Sequence, residues 1–237
     1  MLPIISISNL VNTMVTAALA GRLIFKLRQN HHDGLMYLAG FYVALTGFWA
    51  FRALPGLLID NPYTVMATNL VSYIFLYVAT TALLQVPFIF INRRHWGVIL
   101  GILNVMIGLI FIIGRFLNPV VHTPTIIEPY IFWQETYPLL LRALTGISTV
   151  TSTTIFMGVF FYLGHKERDN TIVYRRSMYL AGGMLFLVLA SFIFFLASTG
   201  GFLMSVLASS SCIVGAYLML RGISYEGPEE STVPTSP

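Results

Sequence analysis

The sequence predicts an all-α membrane protein, a bundle of seven transmembrane helices, on two observations. Of its 237 residues, 57% are hydrophobic and only 9% are charged, whereas about a quarter of the residues in a soluble domain are charged. The apolar residues also form long runs that contain no Asp, Glu, Lys or Arg. A run of about 20 apolar residues crosses a bilayer as a helix, because a helix satisfies its own backbone polar groups. We therefore expect a multi-pass protein of the cell membrane, surrounded by the lipid bilayer.

The charge-free runs locate the helices in order along the chain. Five runs hold one helix each, and the longest, 177–220, holds two helices divided by a turn at Ser198-Thr199-Gly200-Gly201. The predicted helices cover about 3–27, 35–54, 64–91, 96–117, 138–163, 176–198 and 201–222. These helices form one domain over residues 1–223. Residues 224–237 are rich in Glu, Pro, Ser and Thr, a composition that predicts a disordered tail on the cytoplasmic side.

Basic residues predict the orientation of the bundle, because Lys and Arg concentrate in cytoplasmic loops. If the amino terminus is outside, ten of the 13 basic residues fall on the inner side: Arg22, Lys26, Arg28, Arg93, Arg94, Lys166, Arg168, Arg175, Arg176 and Arg221. Arg52, Arg115 and Arg142 remain on the outer side. The amino terminus is therefore predicted to be outside and the carboxyl terminus inside.

One short segment occurs twice in the chain. Residues 36–40 read Met-Tyr-Leu-Ala-Gly and residues 178–182 read the same, near the starts of the second and sixth helices. This match predicts that helices 1–3 and 5–7 are parallel repeats joined by helix 4, a 3+1+3 plan found among transporters. The alternative is a chance match between two apolar segments.

Polar side chains recur along one face of several predicted helices. Helix 5 carries Arg142, Thr145 and Thr149 on one face, and helix 3 carries Asn69, Tyr73 and Tyr77. Lipid cannot hydrogen-bond these groups, so we expect the polar faces to meet inside the bundle, and the less polar helices 2, 4 and 6 to contact lipid. The polar faces predict either a ligand cavity or hydrogen bonds between packed helices, at about 0.6 kcal/mol each.

Arg142 indicates a second candidate site, a cluster of arginines at the predicted outer end of the bundle. It follows Pro138 by four residues, and ionisable groups in a span usually face the interior and pair with another group. Arg52 and Arg115 are expected at a similar depth, with Trp133 in the long loop at 118–137 above them. We interpret the three arginines as a pocket for a small anionic or polar ligand. The alternative is a set of structural ion pairs and snorkelling side chains beside an aromatic belt.

The predicted spans lack the residues that several functions of membrane proteins require. The two lysines, Lys26 and Lys166, lie at predicted helix ends, so the last helix offers no lysine for a retinal Schiff base. No Asp or Glu lies inside a predicted span, and the histidines fall outside the span interiors. This argues against a proton relay, a haem or a zinc centre. The single cysteine, Cys212, excludes an intramolecular disulfide. We expect neither an enzyme nor a metal, cofactor or nucleic-acid partner.

Three functions fit these observations. The first is a receptor-like or sensory module that binds a small ligand from the outer side and signals through a cytoplasmic protein partner. The second is an uncoupled facilitator, or transporter, of a small polar solute. The third is a non-catalytic subunit of a larger complex, with a membrane protein as its partner.

The predicted orientation can be tested with an epitope tag fused after Pro237. Because the basic loops are expected in the cytoplasm, an antibody should stain this tag only after the cells are permeabilised. The same tag placed before Met1 is the matched control and should be stained on intact cells. Staining of the carboxyl-terminal tag on intact cells would reverse the predicted orientation.

Overall fold

Seven long helices make up most of the protein in a computed structural model that describes residues 2–121, 123–133, 138–197 and 202–225. The helices are α1 (Ile4–Gln29), α2 (Asp33–Ala53), α3 (Pro62–Phe90), α4 (Arg94–Leu117), α5 (Leu139–Lys166), α6 (Thr171–Ser191) and α7 (Phe202–Ser224). All seven are long and apolar enough to cross a membrane. The predicted all-α seven-helix bundle is confirmed, and the chain is a multi-pass membrane protein. The predicted turn at 198–201 and residues 226–237 of the predicted tail lie outside the described residues.

Capping side chains explain where several helices begin. Asn61 accepts hydrogen bonds from the backbone N–H groups of Tyr63 (3.0 Å) and Thr64 (3.3 Å), and Pro62 occupies the first turn of α3. Asn170 accepts a bond from Val173 N at 3.2 Å, so α6 begins at Thr171, five residues before the predicted start at 176. Asn is a favourable N-cap because its side-chain oxygen satisfies a backbone donor that has no partner in the helix. Charge-free runs could not locate this start, because α6 includes Arg175 and Arg176 in its first turns.

Six of the helices form a ring, and α4 lies outside it. Helices that are consecutive in the chain pack against each other, and α3 also packs on α5 and α1 on α7. These contacts connect α1, α2, α3, α5, α6 and α7 in a closed circuit. Helix α4 contacts α3 and α5 from outside.

The expectation that helix 2 contacts lipid more than the polar helices was wrong. Half of the most apolar window of α2 is buried, compared with 28% for α4. Its buried side chains include Phe41, Tyr42, Leu45 and Phe48, which belong to the hydrophobic core. An apolar side chain is equally compatible with lipid and with a protein interior, so low polarity does not show which of the two a helix faces.

Helix α4 has one buried face and one face open to lipid. Its buried residues recur at spacings of four and three: Gly97, Gly101, Asn104, Gly108, Phe111 and Arg115. Exposed side chains on the other face include Ile102, Leu109 and Ile113. A β-carbon at Gly108 would lie 2.8 Å from the Tyr77 ring, so the absent side chain allows α4 to approach α3 closely.

A short β-hairpin covers one end of the bundle and was not predicted from the sequence. Strands β1 (Pro124–Ile127) and β2 (Tyr130–Trp133) pair in antiparallel fashion within the long connection between α4 and α5. Leu2 extends the hairpin, because its N–H donates to Pro129 O (3.0 Å) and its carbonyl accepts from Ile131 N (3.1 Å). We call this the hairpin end. The opposite end carries the ten basic residues assigned above to the inner side, and we call it the basic end.

Replacing Gly183 by Ala tests the contact between α6 and α7. An added β-carbon would lie 2.5 Å from Met219 Cγ and 2.7 Å from Gly215 O, and a backbone oxygen has little freedom to move away. We expect the Gly183→Ala protein to lose about 1–3 kcal/mol of unfolding free energy through overpacking, measured by denaturant titration in detergent micelles.

Gly158→Ala is the matched control. It changes the same residue type inside a helix, but a β-carbon there has no neighbour within 4 Å. Because Ala favours a helix over Gly by about 1 kcal/mol, this variant should be unchanged or slightly more stable. Equal losses in the two variants would contradict the close approach of α6 and α7.

Candidate functional site

A cavity of about 70 Å³ lies inside the ring of helices. Helices α1, α2, α3, α5, α6 and α7 all contribute to its wall, together with the π-helical continuation of α6 (Phe192–Ala197). The wall is mostly apolar. Its residues with a polar group or a thiol are Asn9, Trp49, Thr80, Thr149, Thr153, Ser191, Ser209 and Cys212. π-Helical turns are rare and frequently occur at functional sites, which makes this cavity the leading candidate.

The threonines in the cavity wall use their hydroxyl protons within their own helices. Thr149 donates to Thr145 O at 2.9 Å, Thr153 donates to Thr149 O at 2.7 Å, and Thr80 donates to Leu76 O at 3.0 Å. Such bonds from a helical threonine to the preceding turn are common in membrane spans. Each hydroxyl oxygen can still accept a hydrogen bond. Thr149 and Thr153 therefore keep acceptor capacity, whereas the Thr80 oxygen already accepts a bond from Asn104 at 2.9 Å.

Trp49 contributes its indole ring to this wall. The residue is 8% exposed, and its Nε1–H is buried without a hydrogen bond to any described residue. Its ring packs edge-on against Phe48, with the ring centroids 4.8 Å apart. Leaving a buried N–H unpaired costs about 1–3 kcal/mol.

Arg52 and three aromatic rings border the cavity toward the hairpin end. The Arg52 guanidinium carbon lies 4.7 Å from the centroid of the Phe194 ring, 5.2 Å from Phe48 and 5.9 Å from Tyr73. Arg52 is 6% exposed, and cation–π contacts of a desolvated Arg are worth about 2 kcal/mol. Phe48 and Phe194 also line the cavity. We call Arg52, Phe48, Tyr73 and Phe194 the arginine layer.

Four fully buried side chains lie on the ring helices between the cavity and the basic end. They are Tyr42, Phe156, Met184 and Met219, each at 0% exposure. The Tyr42 hydroxyl donates a hydrogen bond to the Met219 sulfur at 2.9 Å, which joins α2 to α7 across the ring. We call these four residues the methionine layer.

A wide cleft lies beyond the methionine layer at the basic end. Its volume is about 660 Å³, and it is lined by helix ends from α1, α2, α3, α5, α6 and α7. Leu38, Phe160 and Leu180 line the cleft, each four residues from a member of the methionine layer on the same helix. The cleft also contains the charged residues Lys26, Glu167 and Arg176. On α5 and α6 the methionine layer therefore lies between the residues that line the cleft and those that line the cavity, which are about two helical turns apart.

Some predicted site residues connect helices. Tyr77 on α3 and Thr145 on α5 share a hydrogen bond of 2.8 Å, and both are buried. Next to them, Asn104 on α4 donates to the hydroxyl oxygens of Thr80 (2.9 Å) and Thr81 (2.8 Å) and accepts a bond from the Ser148 hydroxyl. For these residues the structure agrees with the second interpretation, hydrogen bonds between packed helices.

The other predicted site residues divide between the cavity and the hairpin end. Thr149 lines the cavity, and Arg52 and Tyr73 belong to the arginine layer. The remaining residues do not line the cavity: Asn69 and Arg115 are buried, and Arg142 and Trp133 are half-buried. Trp133 lies beside the loop between α2 and α3, where a β-carbon at Gly56 would be 3.5 Å from its Nε1. The pocket for an anion among the three arginines stays a prediction.

Sequence reasoning missed Trp49, Asn104 and the π-helical turn. Asn104 left a signal, because it is the one amide side chain in the α4 span and lies between Gly101 and Gly108 at spacings of three and four. Such small and polar residues on one face indicate close helix packing. Trp49 left no signal of this kind, since a tryptophan within an apolar helix is equally compatible with lipid contact and core packing.

Replacing Asn104 by Leu tests the attachment of α4 to the ring. The substitution removes the amide and leaves the buried Ser148 hydroxyl without its acceptor. We expect a loss of about 1–3 kcal/mol in unfolding free energy, measured by denaturant titration in micelles. Asn118→Ala is the matched control, because Asn118 is an exposed amide at the end of the same helix. A change below about 0.5 kcal/mol in the Asn104→Leu protein would contradict this role.

Neither a known protein family nor a curated protein matches this chain. A functional proposal therefore has to rest on the fold, and two of its features support one. They are the cavity between the arginine and methionine layers, and the cleft that opens at the basic end.

Proposed function

We propose that this protein is an uncoupled facilitator that carries a small polar solute across a membrane through the cavity inside the helix ring. The observation that carries the proposal is the position of the cavity between two thin layers of side chains. A wide cleft lies beyond one layer, and a β-hairpin covers the end beyond the other. A solute would pass in turn through the cleft, the methionine layer, the cavity and the arginine layer.

Both layers are built from side chains that can rearrange. Met184 and Met219 have long, flexible side chains that adapt their packing, so the methionine layer can open by rotamer changes. The arginine layer is held by stacking of Arg52 on Phe48 and Phe194. Phe194 lies in the π-helical turn. Return of this turn to regular α-helix would rotate Phe194 relative to Arg52 and so loosen that layer.

The lining of the cavity favours transport without ion coupling. None of the described residues that line it is an Asp, Glu, Lys, Arg or His. Proton-coupled transporters use such ionisable groups at membrane depth. The proposal therefore describes passive movement down a gradient, and it includes no enzymatic step.

The distribution of basic residues assigns the two ends to the two sides of the membrane in this proposal. Ten basic residues lie at the basic end, and Lys and Arg are enriched on the cytoplasmic side. The cleft then opens to the cytoplasm, and the hairpin faces the exterior. In the state described here only the cleft is open to the cytoplasmic side, and the two layers close the cavity at both ends.

A receptor-like role is the second candidate, and one observation favours it. The cleft at the basic end is large, about 660 Å³, and combines an apolar floor with the charged residues Lys26, Glu167 and Arg176 at its margin. A cytoplasmic protein partner could dock there and respond to a ligand bound at the hairpin end. The subunit hypothesis has no comparable observation in its favour.

The single cysteine offers a direct test of the facilitator. Cys212 lines the cavity, and methyl methanethiosulfonate would convert its thiol into a methyl disulfide that fills part of the 70 Å³ space. We expect liposomes with purified protein to take up small neutral solutes faster than protein-free liposomes, in a stopped-flow light-scattering assay. Treatment with the reagent should slow this uptake.

Cys212→Ser is the matched control for the labelling. It keeps a small side chain at the same place but cannot react, so its uptake should be insensitive to the reagent. Uptake no faster than in protein-free liposomes, for every solute tested, would overturn the facilitator and favour the receptor-like role.

A further inference from the structure

The cleft at the basic end combines apolar, aromatic and cationic side chains in one accessible space. We propose that it binds aromatic carboxylates and related organic anions, in which one anionic group is attached to a flat apolar ring. The anionic group would lie at Lys26 and Arg176, and the ring would lie against Phe90. This ligand goes beyond the proposed function, because it occupies a different site from the cavity and its binding requires no transport.

The volume of the cleft suits a small organic molecule. The cleft has about 660 Å³, and typical small-molecule pockets have roughly 300–1,000 Å³. Such pockets bury most of a ligand against apolar and aromatic side chains and orient it with a few polar groups. The lining here is mostly apolar and includes a few charged residues. It therefore suits a molecule with an apolar body and one charged end.

Two cations in the lining lie beside the end of α7. Lys26 Nζ donates a hydrogen bond to Ile223 O at 2.9 Å. Arg176 Nε donates to Tyr225 O at 2.6 Å. The two accepting residues are two positions apart in the chain, a distance of about 7 Å at most, so the cations lie on the same side of the cleft. A backbone carbonyl positions each cation without neutralising it, and both keep further N–H donors for a ligand.

The charges of the lining favour a single anion. Lys26 and Arg176 are positive and Glu167 is negative, which leaves one positive charge in excess. Among the residues that the structure describes, neither Lys26 nor Arg176 forms a salt bridge with a carboxylate. Hydrogen bonds from a cation to a carboxylate are roughly twice as strong as neutral ones. One anionic group could therefore bind to both cations and balance the excess charge, whereas a cationic ligand would be repelled.

Aromatic rings form another side of the cleft. Phe90 on α3 lines the cleft and is 47% exposed, so its ring is accessible to a ligand. The ring lies between those of His32 and Phe160, with centroid distances of 5.6 Å and 5.3 Å. His32 is itself held in place, because its Nδ1 accepts a hydrogen bond from Gly34 N at 3.1 Å. Aromatic pairs gain an attraction beyond the burial of apolar area, so these rings favour an aromatic ligand over a saturated one.

The cationic and aromatic sides face each other across the cleft. The ring helices follow one another in the order α1, α2, α3, α5, α6 and α7, and α7 packs on α1. In this circuit α3 lies opposite α7. Phe90, on α3, is therefore across the cleft from the carbonyl oxygens that hold Lys26 and Arg176. An aromatic carboxylate has its ring and its charge at opposite ends, and so matches both sides.

The test compares four molecules with the same two-ring skeleton and the same position of the substituent. Naphthoate is an aromatic anion, naphthamide is its neutral analogue, naphthamidinium is its cationic analogue, and decahydronaphthoate is an anion with a saturated body. Binding is measured by equilibrium dialysis on the unsubstituted protein in phosphatidylcholine nanodiscs, and binding to empty nanodiscs is subtracted. We expect naphthoate to bind about 10-fold more tightly than naphthamide, the factor for one charge-assisted hydrogen bond. Naphthamidinium and decahydronaphthoate should also bind more weakly than naphthoate.

Three results would contradict this expectation. No binding of naphthoate beyond that of empty nanodiscs would overturn the site. Equal binding of naphthoate, naphthamide and naphthamidinium would overturn the selection for an anion. Equal binding of naphthoate and decahydronaphthoate would overturn the aromatic class and would indicate a site for any amphipathic anion, such as a fatty acid from the membrane.

Arg176→Gln tests the cationic side of the cleft. We expect the dissociation constant for naphthoate to rise about 10-fold, because one charge-assisted hydrogen bond is lost. Arg175→Gln is the matched control, because it removes the same charge from a neighbouring residue that also contacts Tyr225 but does not line the cleft. Its dissociation constant should change little. Equal rises in the two variants would show an effect of net charge alone and overturn the role of Arg176.

Phe90→Leu tests the aromatic side, because it keeps an apolar side chain and removes the ring. We expect the dissociation constant for naphthoate to rise about 3-fold, a typical factor for one aromatic pair. Phe161→Leu is the matched control, because Phe161 is 55% exposed and does not line the cleft. Equal effects of the two substitutions would overturn the role of Phe90. The comparison of the four molecules on the unsubstituted protein does not depend on how any variant folds.

Discussion

Lipid offers no hydrogen bonds, and this constraint explains most of the architecture of the bundle. Each polar side chain within a span must find its partner in the protein. The Tyr77–Thr145 bond joins α3 to α5, the bond from Asn12 to Ser209 joins α1 to α7, and Asn9 donates to Arg52 O on α2. Individually such bonds are weak, at about 0.6 kcal/mol in membranes. Together they specify which faces of the helices meet, a choice that apolar contacts alone leave open.

Because lipid offers no hydrogen bonds, a polar atom that remains unpaired inside the bundle is unfavourable and therefore unusual. In the cavity wall, the Thr149 and Thr153 hydroxyls satisfy their donors within α5, whereas Trp49 Nε1 has no partner among the described residues. A bundle that had evolved for packing alone would gain stability by filling the 70 Å³ space. The cavity and the adjacent π-helical turn occur together, and both observations support the proposed binding role.

The two layers around the cavity combine different physical interactions. The arginine layer holds a charge within the bundle by stacking it on aromatic faces, where the attraction is strong because water is excluded. The methionine layer is apolar apart from the Tyr42–Met219 hydrogen bond, and it depends on packing. In the proposed facilitator, a solute crossing the first layer would displace a cation–π contact, and a solute crossing the second would displace flexible thioether side chains. The two layers would therefore be barriers of different physical kinds in that proposal.

Sequence alone determined the number of helices and their approximate bounds, because long apolar runs have one stable form in lipid. It also identified candidate site residues that the structure brings together in pairs, such as Tyr77 with Thr145 and Arg52 with Tyr73, although it did not predict these pairs. Tertiary structure decided which apolar helices are interior, and so placed α2 in the core and α4 outside the ring. It also decided which polar residues connect helices and which line the cavity. The physical reason is that a leucine or tryptophan is equally soluble in lipid and in a protein core, so only packing distinguishes the two environments.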